Sequence, residues 1–500
     1  MNALTLEEID SNILCSSVPR PKVIIIGAGI AGLSAASQLE SCGVKDYVIL
    51  EAKDRVGGRI HTAWMSNRDV DLGAEWILGA GPKNSVFQLA SAEGIFNSPL
   101  DKRAPYDYPY LTANGCVIDP FLKLLGYTLF QDIERNARKV FASPNPSCSS
   151  DLQTFYSLRI QQLLQRLPKE CQYDVARVLS GQANHFRYFI GASLCDVDTR
   201  LYGSKDFMTD VKLRVPRGFK RVLNPLLNDI PSSNILTGKP VRKVCCHSEG
   251  KDCPRLTVLC CDGDEFKGDY VICTIPLAAL KLDGPTLFEP PLPEEKVKAF
   301  ASVKNGYCNK ILLEYADPFW AHKHGTMKLA WSPEELENRD DWTKGISLFD
   351  EVEGTNDILC CYLSGPEAHV MEQCTLPEVA ESVTFVLRTF LGDPSIPFPT
   401  KVLRSSWTSD VYAGAATYYL GLDSQLKHFE TLSLPHGDDP KAPTVLFAGD
   451  GFCPDYLGTV HGARSSGIDA ANKLISLHKK LFSEEQSRPT DNCPCPSNSP

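Results

Sequence analysis

No stretch of this 500-residue chain approaches 18 consecutive apolar residues, so no membrane-spanning helix is expected. Residues 1–20 lack a basic segment followed by an apolar block, so no secretory signal is expected. The polar, proline-rich end from Glu484 to Pro500 lacks a terminal Ser-Lys-Leu, so no peroxisomal address is expected. An excess of positive charge is missing too. The 51 Lys and Arg against 61 Asp and Glu give a net charge of −10, which argues against nucleic acid and is compatible with a cationic small molecule. Internal repeats are absent. Cysteine is abundant at 19, but without the spacing of a disulfide framework or a metal clamp. The adjacent pairs Cys245-Cys246, Cys260-Cys261 and Cys360-Cys361 lie in apolar, strand-like surroundings, where neighbours point to opposite faces and pack. A reducing, cytoplasmic location is expected.

What is present begins with Lys22-Val-Ile-Ile-Ile-Gly27-Ala-Gly29-Ile30-Ala-Gly32-Leu. Val23 to Ile26 read as a buried parallel strand, and the small residues after Gly32 read as a helix. Between them the glycines make a tight turn (Gly27), admit a pyrophosphate to the backbone (Gly29) and allow close helix–strand packing (Gly32). The helix N-terminus supplies unpaired N–H groups and positive dipole for that anion. A second strand, Tyr47 to Leu50, ends in Glu51, placed to accept a ribose hydroxyl. The fold class is therefore α/β, with a Rossmann-like dinucleotide-binding domain. Immediately after Glu51, the segment Ala52-Lys-Asp-Arg55-Val-Gly57-Gly58-Arg59 places two arginine forks around a glycine pair, a pattern suited to phosphate oxygens.

With this E-A-x-x-R-x-G-G-R segment the chain resembles the flavin-containing amine oxidase family, which uses it for FAD. The resemblance runs from roughly residue 20 to 480 and implies an FAD domain interwoven with an α+β substrate domain. The division expected is an N-terminal extension (1–20), an FAD-binding domain (21–90, 211–290 and 440–480), a substrate-binding domain (91–210 and 291–439) and a disordered tail (481–500). It also implies that Glu51, Arg59 and the glycines at 57–58 touch the cofactor. Gly73, Ala74, Glu75 and Trp76 would lie in a strand beneath the flavin, and Val241 would pair with the adenine through its backbone.

Lys310, in Asn309-Lys310-Ile-Leu-Leu-Glu314, is flanked by apolar residues on a strand. Pattern alone allows a solvated edge or an inward position, where desolvation would lower its pKa. Polyamine oxidases carry N-K-I-x-L-E followed by P-F-W, like Pro318-Phe319-Trp320, and hold a water on flavin N5 with that lysine. The resemblance thus makes Lys310 catalytic. Trp407-Thr-Ser-Asp410-Val-Tyr412 matches the family's W-x-x-D-x-Y segment over the flavin, where aromatic faces suit amines. Relatives then read G-S-Y-S-Y where this chain has Ala415-Ala-Thr417-Tyr418-Tyr419, leaving open which tyrosine faces the substrate; Tyr419 is the candidate. Neither tyrosine matches the covalent cysteine of monoamine oxidases, so noncovalent FAD is favoured.

The closing motif is Gly449-Asp450, then Gly458-Thr459-Val460-His461-Gly462. Asp450, where relatives usually have glutamate, would reach the ribityl or pyrophosphate region. Thr459 and Val460 open a helix whose N-terminus faces the flavin pyrimidine, with Thr459 also near the substrate. One departure concerns function. Animal polyamine oxidases read W-I-H-G where this chain has Trp76-Ile77-Leu78-Gly79, and Leu78 cannot exchange a proton. Glu75 could supply a negative charge instead, although strand alternation would aim it with Ile77. The resemblance implies an oxidase taking a polyamine and dioxygen to an aldehyde, a smaller amine and hydrogen peroxide. Alternatives are an oxidase of another amine or amino acid, or an FAD-binding protein with little turnover.

Overall fold

The computed structural model describes residues 19–97, 108–143, 151–206, 212–247, 254–320, 325–337 and 341–486. Five parallel strands form the first sheet, in the order Val445–Phe447, Tyr270–Cys273, Val23–Ile26, Tyr47–Leu50 and Ile235–Leu236. Val23–Ile26 lies at the centre and is buried on both faces, which is why it reads as a continuous apolar run. Val23 and Ile25 pack into a core with helices Ile30–Ser41 and Val460–Gln486. Ile24 and Ile26 face the opposite core, beneath a four-stranded sheet built mainly from Val241–Cys246, Leu256–Cys260 and Glu265–Gly268. Each such side chain contributes roughly 1.5–3 kcal/mol by leaving water.

A second large sheet has six strands, ordered Lys401–Arg404, Cys308–Glu314, Ile358–Ser364, Ile346–Glu351, Met327–Leu329 and Tyr110–Leu111. Residues 110–111 thus share a sheet with residues from the later part of the chain. Helices Pro120–Lys139, Leu152–Leu164 and Lys169–Ile190 pack around their own apolar cluster. Asp119 and Asp151 cap two of them through side-chain oxygens, and Gly191, left-handed at φ 80°, ends the third.

Cys308–Glu314 is an interior strand, paired with Ile358–Ser364 on one side and Lys401–Arg404 on the other. Lys310 therefore cannot be an edge lysine.

Several expectations need correction. Trp76 begins its strand and pairs with Arg214 in Lys212–Arg214, so Glu75 precedes the pleat and does not share the face of Ile77. Ile77 enters the apolar core, whereas Glu75 turns elsewhere. The strand ending at Cys273 is followed by an unexpected helix, Leu277–Leu287, with Pro276 at its N-cap and Pro285 inside it. The final helix runs to Gln486, into the segment expected to be a disordered tail. The N-terminal extension up to residue 18 and the tail from 487 lie outside the described residues. Among the described residues, no helix is long and apolar enough to cross a membrane.

Candidate active site

One cavity of about 640 Å³ runs from the glycine turn to the six-stranded sheet, within the roughly 300–1,000 Å³ of cofactor and ligand sites. Its first end is the turn itself. Gly27 has φ +104°, a conformation side chains resist, and a Cβ there would lie 2.6 Å from Thr274 Oγ1. A Cβ on Gly32 would sit 2.0 Å from the Gly27 carbonyl oxygen. Around Gly29 the reverse holds: a Cβ would meet nothing within 4 Å. Gly29 is the N-cap of helix Ile30–Ser41 and offers no side-chain cap, so the first-turn N–H groups are open to a ligand. Ile30 lines the same space. Glu51 is buried; its Oε2 accepts the Ala28 N–H at 2.7 Å and its Oε1 the Lys53 N–H at 2.9 Å. Val241 lines the cavity beyond Glu51. The open glycine, the unfilled helix start and the carboxylate fit a dinucleotide.

In the middle stretch, Arg59 pairs with the Asp450 carboxylate, donates to the Ala416 carbonyl at 3.2 Å and lies 5.5 Å over the Tyr418 ring. Burial opposes the Arg59 charge, but Asp450 and then Tyr418 outweigh it and push its pKa up. Both residues line the cavity, yet each is the other's partner, so Asp450 reaches the cofactor region already neutralised. Arg55 points its fork at the Val56 and Gly58 carbonyls, where it shapes the loop. The Gly449 N–H donates to Ser466 Oγ at 2.8 Å. Thr459 Oγ1 donates to the Tyr456 carbonyl at 2.7 Å and accepts the Gly462 N–H at 3.1 Å, starting helix Val460–Gln486 with its N-terminus at the cavity.

The far end holds Lys310, 2% exposed and beside the cavity. Its Nζ donates to Glu75 Oε2 at 2.6 Å and to the Asp71 carbonyl at 3.0 Å. Pattern-level reasoning about desolvation omitted this carboxylate. Glu75 Oε2 also accepts the Tyr362 hydroxyl at 2.9 Å, while Oε1 pairs with Arg214 Nε at 2.6 Å. Burial would raise the Glu75 pKa, but Arg214 and then Lys310 together pull it down to about 2, so the group is a carboxylate. Arg214 Nη2 in turn donates to Asp350 Oδ2 at 2.6 Å, and its guanidinium lies 4.7 Å from the Trp76 ring centre. Gly73, Ala74, Trp76 and Leu78 line this end together with Trp407. Trp407 is buried, with an edge-to-face contact to His61 at 6.4 Å, whereas Tyr412 is 42% exposed at the rim.

Tyr419 is the residue the structure does not bring here. It lies among Ile190, Val197 and Leu201 in a separate small pocket. Thr417, two residues earlier on strand Thr417–Leu420, takes the cavity face, and two residues of pleat carry Tyr419 past it. Tyr418 faces the other way and accepts the Ala278 N–H at 3.1 Å. Sequence reasoning missed Tyr188, Phe189, Cys308, Arg214 and Tyr362. Cys308 could have been found, since it lies two residues before Lys310 on the same face. The others arrive through a helix end and strand pairings distant in sequence.

The family model described as flavin-containing amine oxidoreductase matches residues 30–475. Protein anon-37Cs of Drosophila melanogaster is 30% identical, over 92% of this chain and 91% of its own. The peroxisomal N(1)-acetyl-spermine/spermidine oxidase of Homo sapiens is 29% identical, over 91% and 95%. Among solved structures, wild-type putrescine oxidase bound to putrescine superimposes with a TM-score of 0.66, at 18% identity over 92% of this chain and 99% of that one.

Proposed function

The chain belongs to the flavin-containing amine oxidoreductase family, and from that premise we propose that it oxidises polyamines: spermine, spermidine or their N-acetylated forms. It is an FAD-dependent amine oxidase, and FAD is its cofactor. Bound in this cavity, FAD would supply a hydride acceptor for the carbon beside the amine nitrogen and a route for the electrons to dioxygen, with hydrogen peroxide as the product. The imine product hydrolyses to an aldehyde and a smaller amine.

The observation that carries this reading is the donor count at Lys310. An ammonium has three N–H donors, and Glu75 Oε2 and the Asp71 carbonyl take two. One remains for a water or substrate nitrogen in the cavity. Trp407, with Tyr412 at the rim, supplies aromatic faces for an amine and keeps water from the reacting carbon. Hydride loss requires a nitrogen lone pair, so turnover rises with pH as the substrate amine deprotonates. The human relative named as an N(1)-acetyl-spermine/spermidine oxidase supports the substrate class.

A second reading is favoured by Leu78, Tyr188 and Phe189, which make the wall near Trp76 largely apolar: an amine with an uncharged flank. An amine panel with peroxide readout on the purified protein tests both. Peroxide with free or acetylated polyamines supports the first reading, and peroxide with aromatic monoamines alone selects the second. No peroxide from any amine by FAD-loaded protein would refute both, leaving an FAD-binding protein with little turnover.

A further inference from the structure

The buried charges behind Lys310 form one chain of contacts. Thr326 donates its hydroxyl to Asp350 Oδ1, Asp350 Oδ2 holds Arg214, Arg214 holds Glu75 Oε1, and Glu75 Oε2 holds Lys310. Glu75, Lys310, Arg214 and Asp350 are all under a tenth exposed, and their two cations and two anions alternate. Strand register fixes both ends: Arg214 is the cross-strand partner of Trp76, next to Glu75, and Tyr362 is the cross-strand partner of Lys310. The Tyr362 hydroxyl bridges them, donating to Glu75 and accepting from Arg214 Nη2 at 3.2 Å.

We propose that Arg214 is a positioning residue acting through Glu75: it pins one carboxylate oxygen so that the other fixes the Lys310 ammonium beside the cavity. Glu75 is then the counter-ion of the lysine and not the recognition group for a charged substrate nitrogen. Lys310 and Tyr362 both donate to Glu75 Oε2, the two bonds its lone pairs accept, and the Arg214 guanidinium lies against Oε1 as an ion pair at 2.6 Å, so both oxygens are already engaged. A substrate ammonium at Glu75 would displace Lys310 or lie between two cations, which costs a great deal in a buried site. The importance given to Lys310 rests on the amine oxidase reading; the counter-ion assignment rests on the contacts alone.

The test uses FAD-loaded full-length protein carrying Glu75→Gln, Arg214→Lys, or both. Oxidation of a polycationic amine is compared with that of a monoamine. The expected result is a fall in kcat of about 100-fold for Glu75→Gln with each amine, with KM within about threefold. Arg214→Lys lowers kcat on its own but costs nothing further in the Glu75→Gln background, because residues acting along one path are not additive. A tenfold rise in KM confined to the polycation would overturn the assignment and make Glu75 a substrate-binding group. Additive losses would show that Arg214 acts by another route. A readout independent of turnover is acylation of Lys310 by acetic anhydride, followed by peptide mass against exposed Lys298. Glu75→Gln releases the Lys310 nitrogen from the carboxylate that holds it, so labelling of Lys310 is about tenfold faster than in the wild type. Equal rates would refute the pairing even if no amine were oxidised.

Discussion

Adding one methyl group at Gly29 and at Gly32 separates cofactor binding from folding within a single turn. At Gly29 the backbone is at φ −72° and ψ 175°, which alanine adopts freely, and its Cβ would meet nothing within 4 Å. The apoprotein then loses only the small advantage of glycine over alanine at an N-cap, under about 1 kcal/mol. The same methyl group occupies the space over the first-turn N–H groups where the FAD pyrophosphate would be held. Losing two charge-assisted hydrogen bonds at roughly 1.5 kcal/mol each removes about 3 kcal/mol, or about 100-fold in Kd. At Gly32 the Cβ would be 2.0 Å from the Gly27 carbonyl oxygen and 3.2 Å from Thr274 Oγ1, with backbone on the unyielding side. Overpacking of that kind costs about 3 kcal/mol or more in the apoprotein itself. The assay is thermal unfolding of flavin-free protein, paired with FAD titration followed by quenching of flavin fluorescence. Gly29→Ala melts with the wild type and binds FAD weakly; Gly32→Ala melts early. Wild-type FAD affinity in Gly29→Ala, or a wild-type melt in Gly32→Ala, would refute the reasoning.

Other outcomes follow from the reactive end and its surroundings. The Glu75 pKa of about 2 lies below its ordinary 4.5, so its charge stabilises the fold fully above the ordinary value and that stability is lost as pH falls through the lower one. Glu75→Gln is therefore less stable by about 3 kcal/mol near neutral pH, and denaturant titrations show the gap constant above pH 4.5 and closing as pH drops from 4.5 toward 2; a gap constant over that lower range would contradict the depressed pKa. Lys310→Met retains FAD, because the dinucleotide cradle lies elsewhere, and loses about 10²–10⁴-fold in kcat by peroxide assay. Unchanged kcat would remove Lys310 from the chemistry. Tyr419→Phe leaves kcat and KM within about twofold, whereas Trp407→Leu changes both; steady-state kinetics with a change in Tyr419→Phe alone would reverse the placement of the two residues.

Legibility in the sequence followed the range of the interactions. The glycine turn, its two strands and Glu51 were readable because turn chemistry and strand period are local. Lys310 was ambiguous by pattern, since burial depends on whether its strand lies inside the sheet, and only the pairing with Lys401–Arg404 answers that. The resemblance supplied the inward reading without its partners. Glu75 was misjudged because alternation was extended one residue before the strand begins at Trp76. Arg214 gave no local sign of its role, since its partners arrive through cross-strand pairing and a separate sheet. Tyr419 failed for a geometric reason: correct face, wrong distance along the strand.

The most direct measurement is anaerobic mixing of the purified yellow protein with an amine while the visible flavin band is followed. A cofactor held from Gly29 to Lys310, with the amine beside Trp407, predicts that the band bleaches on mixing and returns with peroxide when air is admitted. A band that stays unchanged with every polyamine and monoamine, or protein that is colourless and takes up no FAD, would contradict it.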